Sequence, residues 1–168
     1  MMKEIFSRRS IRKYQNKPVE GVKIEKLLRA AMYAPSAGNE QPWHFVVIKD
    51  REKLNGIPEF HPNTHMLKEA PVGILVCGDV SNVKYDGAFW VQDISAAIQN
   101  ILLEAEYLGL GTCWCGLYPR EGYAEKMIEY MDLPENIIPV AIIAVGYSAE
   151  SREVKDRYRE DRVHYEEW

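Results

Sequence analysis

Apolar residues recur at helical spacing ahead of the first long loop of the chain. Between Val22 and Ala34, one helical face carries Ile24, Leu27, Leu28 and Ala31, which predicts an amphipathic helix over this stretch. Pro35 ends the helix, and the segment that begins there, PSAGNEQP, is rich in residues that interrupt helices. The pattern therefore predicts a helix followed by an irregular loop.

Four short apolar runs predict β-strands over Phe45 to Ile48, Val72 to Cys77, Thr112 to Leu117 and Ile138 to Tyr147. Because the runs are continuous and do not alternate with polar residues, we expect a sheet that is covered on both faces. Shorter helices are predicted around Met66 to Ala70 and from Arg120 to Met131. The elements do not alternate regularly between strand and helix, so a classical doubly wound fold is not predicted.

The helix predicted from Phe89 to Leu108 is apolar on more than one side. One stripe at helical spacing contains Val91, Ile94, Ala97, Ile98, Ile101, Leu102, Ala105 and Leu108. Ala96, Leu103 and Tyr107 extend the apolar character to other faces, and such a helix must bury more than one side. In a short chain the simplest second partner is another subunit. A core helix with a single buried face and scattered apolar residues stays open as the alternative.

Composition places the chain among ordinary globular proteins. Its 168 residues suit one domain spanning residues 1–168, with 46% hydrophobic and 27% charged residues. With 21 basic and 25 acidic residues, the formal net charge is −4, which gives no general field for nucleic acid. The N-terminal residues lack the apolar core of a signal peptide and no run is long enough to span a membrane. Three cysteines, an odd number, favour buried thiols and a cytoplasmic location.

Two basic segments are candidates for binding an anion. RRSIRKY supplies Arg8, Arg9, Ser10, Arg12 and Lys13, and guanidinium groups bind phosphate oxygens in a bidentate fork. Near the other end, Lys155 and Arg157 lie among acidic residues, and the tail closes with Tyr158, Tyr165 and Trp168. Flexible tails rarely keep such aromatic residues, so we expect this one to dock. Taken alone, each basic segment is more typical of a solvated surface than of a binding site.

Polar side chains also occur in the loop APSAGNEQPW. Ser36, Asn39 and Gln41 offer donors and acceptors that suit the polar edge of a ring or a ribityl chain. An ordinary connection between helix and strand, with Trp43 in the core, is the alternative.

Metal and thiol chemistry are poorly supported. Cys113 and Cys115 are separated by one residue, which differs from the spacing of zinc or thioredoxin-like sites. His61 and His65 lack the acidic residue of a metalloprotease motif, and Pro62 lies between them. No metal site is predicted.

The ordered set of motifs resembles the nitroreductase family. RRSIRKY, APSAGNEQPWHFVVI, KEAPVGILVCGD, GLGTCWCG and KDRYREDRVHYEEW follow one another in the family's order over essentially the whole chain. The resemblance implies an α+β fold, a three-layer α-β-α sandwich with a mainly antiparallel central sheet, in an intertwined homodimer. It also implies FMN as cofactor and NADH or NADPH as electron donor.

The resemblance further implies a set of FMN-binding residues. Arg8, Arg9 and Ser10 should hold the phosphate together with Lys155 and Arg157, and Arg12 should reach the N1–C2=O edge of the ring. Pro35, Ser36, Ala37 and Asn39 should come from the other subunit, and Cys115 and Gly116 should lie beside the ring. No catalytic side chain is assigned, since the flavin carries the chemistry. Whether Asn63 or His65 touches the flavin stays open.

Three functional classes follow from the resemblance. The leading one is an oxidoreductase that passes electrons from NAD(P)H, by a ping-pong mechanism, to nitroaromatics, quinones or a similar small conjugated acceptor. The others are a specialised relative, such as a flavin-dependent dehalogenase or a flavin-destroying enzyme, and a non-catalytic flavin-binding sensor or store. Neither nucleic acid nor a membrane is an expected partner. The sequence predicts neither the acceptor nor the choice of nicotinamide; specificity should lie near Glu59 to Met66 and Val80 to Ala88.

Overall fold

A four-stranded antiparallel sheet forms the centre of the protein in the computed structural model, which describes residues 2–81, 83–120 and 122–168. The strands are β1 (Trp43–Ile48), β2 (Val72–Asp79), β3 (Gly111–Gly116) and β4 (Ile137–Gly146), in the order β1-β2-β4-β3. Each neighbouring pair is antiparallel. All four predicted strands are present, with ends displaced by two residues or fewer.

Helices cover both faces of this sheet. They are α1 (Lys3–Ser7), α2 (Gly21–Met32), α3 (Arg51–Phe60), α4 (Trp90–Tyr107) and α5 (Tyr123–Met131). One buried cluster joins α2 and α4 to the sheet through residues such as Leu27, Ile98 and Ile143. A second cluster joins α3 and α5 to the opposite face. The expected layers of helix, sheet and helix are confirmed, and the continuous apolar strands are explained by burial on both sides.

Two helix predictions were wrong in part, and α3 was missed. The helix expected around Met66 to Ala70 is a 3₁₀ segment, Pro62–Lys68. The last predicted helix begins at Tyr123 instead of Arg120, and Glu121 within it lies outside the described residues. Helix α3 was not predicted because it contains Gly56 and Pro58, and both residue types have low helix propensity.

The structure explains why a glycine lies inside α3. A β-carbon at Gly56 would collide with the hydroxyl of Tyr130 on α5, so a larger residue here would displace the Tyr130 ring from its position against α3. The start of α3 is fixed by Asp50, whose carboxylate accepts the Lys53 N–H at 2.8 Å. A tertiary contact therefore overrides the local preference.

Helix α4 buries one face in the sheet and leaves apolar groups on another. Ile94, Ile98 and Ile101 are completely buried, whereas the Tyr107 side chain is largely exposed and Leu103 is half-buried. Within one chain, the second apolar side thus remains open to solvent. In the described part of the chain, no helix has the length and apolar character needed to cross a membrane.

The N-terminal segment is attached along the free edge of β3. Ser10 forms a parallel bridge with Thr112, and the Ile11 N–H donates to the Thr112 carbonyl at 2.9 Å. Tyr14 then pairs with Ser148 in an antiparallel bridge. Residues 151–168 follow as an exposed tail, and Trp168 is 101% exposed. Within a single chain the Glu153 carbonyl accepts from Arg9, but Tyr158, Tyr165 and Trp168 stay exposed. The expected docking of these aromatic residues therefore does not occur there.

Candidate functional site

A cavity of about 610 Å³ lies where the N-terminal segment, the 3₁₀ segment Pro62–Lys68 and the end of β3 meet. Arg12 comes from the first of these, Asn63 and His65 from the second, and Cys115 and Gly116 from the third. The cavity therefore brings together three of the residues predicted to bind FMN, as well as both residues whose role was left open.

Gly116 presents bare backbone to the cavity. It is the last residue of β3, and a β-carbon built on it would meet no atom within 4 Å. The space beside it is therefore open, and a planar ligand can approach the backbone closely.

The thiols beside Gly116 are buried. Alternation along β3 places Cys113 and Cys115 on the same inward face, and Cys115 Sγ lies 3.7 Å from Met66 Sδ. The neighbouring Cys113 thiol, together with burial, raises the pKa of Cys115 above its ordinary value. Cys115 is consequently protonated at neutral pH and is a poor nucleophile. All three cysteines are free, as expected from their odd number.

Two guanidinium groups give the cavity a positive character. Arg12 lines it with an exposed side chain, while its backbone N–H donates to Glu150 Oε1 at 2.6 Å. The Arg120 guanidinium lies 4.5 Å from the centroid of the Tyr123 ring. Glu69 also lines the cavity, and its Oε2 accepts the Tyr14 N–H at 3.1 Å. Backbone attachment thus holds Arg12 in place and leaves its side chain available for a ligand.

His61 is a site residue that sequence reasoning considered only as a metal ligand. Its side chain is buried, Nε2 lies 2.9 Å from the Gly116 carbonyl oxygen, and the ring stacks on Tyr123 with centroids 4.3 Å apart. Burial lowers the pKa of His61, with the Gly116 hydrogen bond acting in the opposite direction. No sequence signal pointed to this contact, because its partners are separated by 55 residues.

The predicted phosphate ligands Arg8, Arg9 and Ser10 lie in the same N-terminal segment as Arg12 but do not line the cavity. The Arg9 guanidinium donates to the carbonyls of Phe6, Arg8 and Glu153 at 2.7 to 3.1 Å. Arg8 and Ser10 are half-buried in the same segment. Phosphate binding by these three residues stays a prediction, and for Arg9 the guanidinium is already engaged by backbone oxygens.

The remaining predicted ligands lie outside the cavity of their own chain. Lys155 is exposed, with Nζ 3.9 Å from Glu153 Oε2, and Arg157 is exposed as well. The loop from Pro35 to Asn39 is joined to α4 by the Ala37 N–H, which donates to Asp93. The structure does not bring these residues to the cavity within one chain. Phosphate binding by Lys155 and Arg157, and the origin of Pro35, Ser36, Ala37 and Asn39 in a second subunit, stay predictions.

The two segments expected to control specificity differ in position. Asn63, His65 and Met66 from the first segment line the cavity. The second, residues 80–88, contains a 3₁₀ turn at Tyr85–Gly87 and does not line the cavity in its described part; Asn82 within it lies outside the described residues.

Comparison with known proteins identifies the family. The model of the nitroreductase family matches residues 5–63 and 61–147. A protein from Methanothermobacter thermautotrophicus, provisionally named NADH dehydrogenase/NAD(P)H nitroreductase, is 49% identical over 168 residues, covering 100% of this chain and 87% of that protein.

Solved structures of related proteins match this chain over essentially its full length and support the same family assignment. A protein with the same provisional name from Bacteroides thetaiotaomicron has a TM-score of 0.94 at 44% identity, covering 99% of this chain and 97% of that chain. An FMN-dependent nitroreductase from Clostridium difficile R20291 has a TM-score of 0.92 at 31% identity, covering 100% of both. The fold implied by the sequence motifs is confirmed, and the chain belongs to the nitroreductase family.

Proposed function

We propose that this protein is an FMN-dependent oxidoreductase that takes electrons from NADH or NADPH and reduces a small conjugated acceptor, such as a nitroaromatic or a quinone. The general part follows from the family and from the relatives, one named an NAD(P)H nitroreductase and another an FMN-dependent nitroreductase. The acceptor class, the kinetic mechanism and the residues involved are the proposal. A cytoplasmic location, also proposed, suits the three free thiols.

The observation that carries the proposal is the meeting of Arg12 and Gly116 in one cavity. FMN, when bound, supplies transfer of a hydride between a nicotinamide and an acceptor. The open space at Gly116 fits the approach of a flat ring to backbone, and Arg12 offers a permanent positive charge on the cavity wall. A cation beside a ring that gains negative charge on reduction favours the reduced state. The residues present therefore fit FMN.

The rest of the FMN site is proposed to need a second copy of the chain. Arg8 and Ser10, with Lys155 and Arg157, would bind the phosphate, while Ser36 and Asn39 would come from the other subunit. Two features support a homodimer. Helix α4 leaves an apolar side open at Leu103 and Tyr107, and the tail exposes Tyr158, Tyr165 and Trp168. Burial of such apolar surface on association is favourable.

A single cavity favours a ping-pong mechanism. The space of about 610 Å³ beside Gly116 would also have to hold the cofactor ring, and one open face of that ring would then serve the nicotinamide and the acceptor in turn. The nicotinamide would therefore leave before the acceptor enters. We expect parallel double-reciprocal lines when both substrates are varied, and intersecting lines would contradict this mechanism.

The direct test is cofactor release followed by anaerobic reduction. Purified protein should be yellow, and denaturation should release FMN, identified by chromatography against FAD and riboflavin standards. Anaerobic NADH or NADPH should bleach the bound cofactor, and acceptors supplied one at a time should restore its colour. A protein that neither contains nor takes up FMN, and that does not oxidise NAD(P)H in its presence, would contradict the proposal.

A further inference from the structure

The protonation pattern of His61 follows from its contact with Gly116. Nε2 lies 2.9 Å from the Gly116 carbonyl oxygen, which can only accept a hydrogen bond, so Nε2 must carry the proton. Nδ1 of the neutral ring then holds a lone pair. This atom is buried and has no hydrogen-bonding partner among the described residues. The hydrogen bond to Gly116 is consequently the polar contact that orients the ring.

The surroundings of His61 keep its ring neutral at neutral pH, with the proton on Nε2. The ring stacks on Tyr123, and Arg120 lies over the same tyrosine ring. Burial and the positive charge of Arg120 both lower the pKa of His61. A second proton would place a donor on Nδ1 where the described structure offers no acceptor. The ring therefore stays neutral, with Nε2 as its donor.

Gly116 is a backbone position that benefits from an external support. It ends β3, and glycine has the largest conformational freedom of any residue. The space around its missing side chain is open. The peptide plane that carries its carbonyl is held from β4 by Leu117, whose N–H donates to the Val140 carbonyl at 2.9 Å, and from the other side by His61. His61 comes from the segment that links α3 to Pro62–Lys68. Its hydrogen bond thus joins one wall of the cavity to another.

We propose that His61 is a positioning residue of this oxidoreductase. By donating from Nε2 to the Gly116 carbonyl, it holds the end of β3 in the orientation that the cofactor ring meets, and it couples that orientation to the 3₁₀ wall of the cavity. The inference rests on the proposed function, since it assumes that a flavin lies beside Gly116. His61 is not assigned any contact with the reacting atoms.

The test uses two substitutions at His61 and one control. His61→Leu removes the donor and keeps an apolar group, whereas His61→Gln retains an amide N–H of similar reach. His44→Leu is the matched control, because His44 is an exposed histidine of β1 whose Nε2 lies 4.0 Å from Asp79 Oδ2. The readouts are the visible spectrum and midpoint potential of bound FMN, kcat and KM, and hydrogen exchange over residues 111–120.

The expected result separates positioning from folding alone. His61→Leu should shift the flavin spectrum and potential, speed hydrogen exchange over residues 111–120, and lower kcat about tenfold, the scale of one lost hydrogen bond. KM should change little. His61→Gln should restore most of each property, and His44→Leu should match the wild type. If His61→Leu leaves spectrum, potential and kcat unchanged, the inference is overturned, even where hydrogen exchange has changed.

A measurement on the unaltered protein covers the case in which His61→Leu does not fold. Nitrogen-15 NMR of the purified wild-type protein should place the His61 proton on Nε2 at neutral pH. A proton on Nδ1 would overturn the inference regardless of the variants. If the wild type binds no FMN, the proposed function fails, and the positioning role fails with it. NMR and hydrogen exchange would then still test the contact between His61 and Gly116 without a cofactor.

Discussion

Asp93 Oδ1 accepts a hydrogen bond from the backbone N–H of Ala37 at 3.0 Å. This contact ties the first turn of α4 to the loop from Pro35 to Asn39, which is expected to serve the FMN site of the other subunit. Asp93 is buried, and its second oxygen has no partner among the described residues. The helix that offers an apolar side for association thus also holds a predicted binding loop.

Replacing Asp93 with alanine should weaken FMN binding more than it disturbs the sheet. Losing the acceptor frees the Ala37 N–H, and we expect about tenfold weaker FMN binding, the scale of one hydrogen bond. Asp93→Asn keeps an acceptor oxygen and should lose much less affinity. Gln99→Ala, at an exposed position of the same helix, serves as control. Fluorescence titration with FMN measures the effect, and equal affinity in all three variants would show that the contact does not support the loop.

Replacing Arg12 with alanine should damage electron transfer more than FMN retention. Negative charge appears on the ring only on reduction, so loss of the Arg12 cation should lower turnover per bound FMN by about a hundredfold, equivalent to about 3 kcal/mol. Lys13→Ala is the neighbouring control, because the Lys13 side chain does not line the cavity. Stopped-flow reduction by NAD(P)H, normalised to bound FMN, gives the measurement. Lost flavin with normal turnover in the remaining holoenzyme would refute the role.

Replacing Gly116 with alanine should separate folding from cofactor binding. A β-carbon there meets no atom within 4 Å of the chain itself, so the melting temperature of cofactor-free protein should stay close to the wild-type value. The same carbon would enter the space proposed for the ring, and FMN affinity should fall at least about tenfold, since an extra carbon in a filled space typically costs about 1–3 kcal/mol. Gly21→Ala, where a β-carbon also meets nothing within 4 Å, should change FMN affinity little. Wild-type affinity in Gly116→Ala would place the ring elsewhere.

Mixed dimers test the shared site. Arg8 and Ser10 are both changed to alanine in one variant, and Ser36 and Asn39 in another. In a mixed dimer both lesions fall on one site and the other site is intact. Random reassociation of equal amounts makes about half of the dimers mixed, so roughly a quarter of wild-type activity should return. Verified mixed dimers no more active than their parents would mean that the two segments do not come from different chains.

His61 should make the free energy of unfolding depend on pH. Its pKa is lowered in the folded state by burial and by Arg120, so the unfolded chain binds more protons near and below its ordinary pKa of about 6.5. Stability is therefore full above that pH and falls as the pH decreases, by at most about 1.4 kcal/mol per pH unit for one proton. Urea unfolding between pH 7 and 5 should show a smaller loss in His61→Gln than in the wild type. Identical pH dependence would assign the effect to other groups.

The sequence predicted the sheet and the long helices well because their apolar patterns are local. The stretch from Phe89 to Leu108 became α4 with ends shifted by one residue. Helix α3 was missed because Gly56 is explained only by contact with Tyr130, a residue far along the chain. Local patterns carry no information about such tertiary contacts.

Only those residues of the candidate site that belong to a recognisable sequence motif could be predicted. Arg12, Cys115 and Gly116 belong to recognisable motifs and meet in the cavity. His61 belongs to a stretch that matches the family loosely, and its hydrogen bond to Gly116 depends on two segments meeting in space. Arg120 likewise lines the cavity because separate segments of the chain meet in space. Residues that support a motif from another segment are therefore the ones that sequence reasoning misses.

The attachment of residues 10–14 beside β3 and the end of β4 also bears on how the protein can be shortened. The bridge between Ser10 and Thr112 occupies backbone groups at a sheet margin that would otherwise be unpaired. Unpaired margins recruit strands from other molecules and promote aggregation. A deletion of residues 1–14 would thus have two effects at once: it would remove basic side chains, and it would expose an unpaired, aggregation-prone edge of the sheet. Insolubility after such a truncation would report the lost edge protection as much as any loss of flavin.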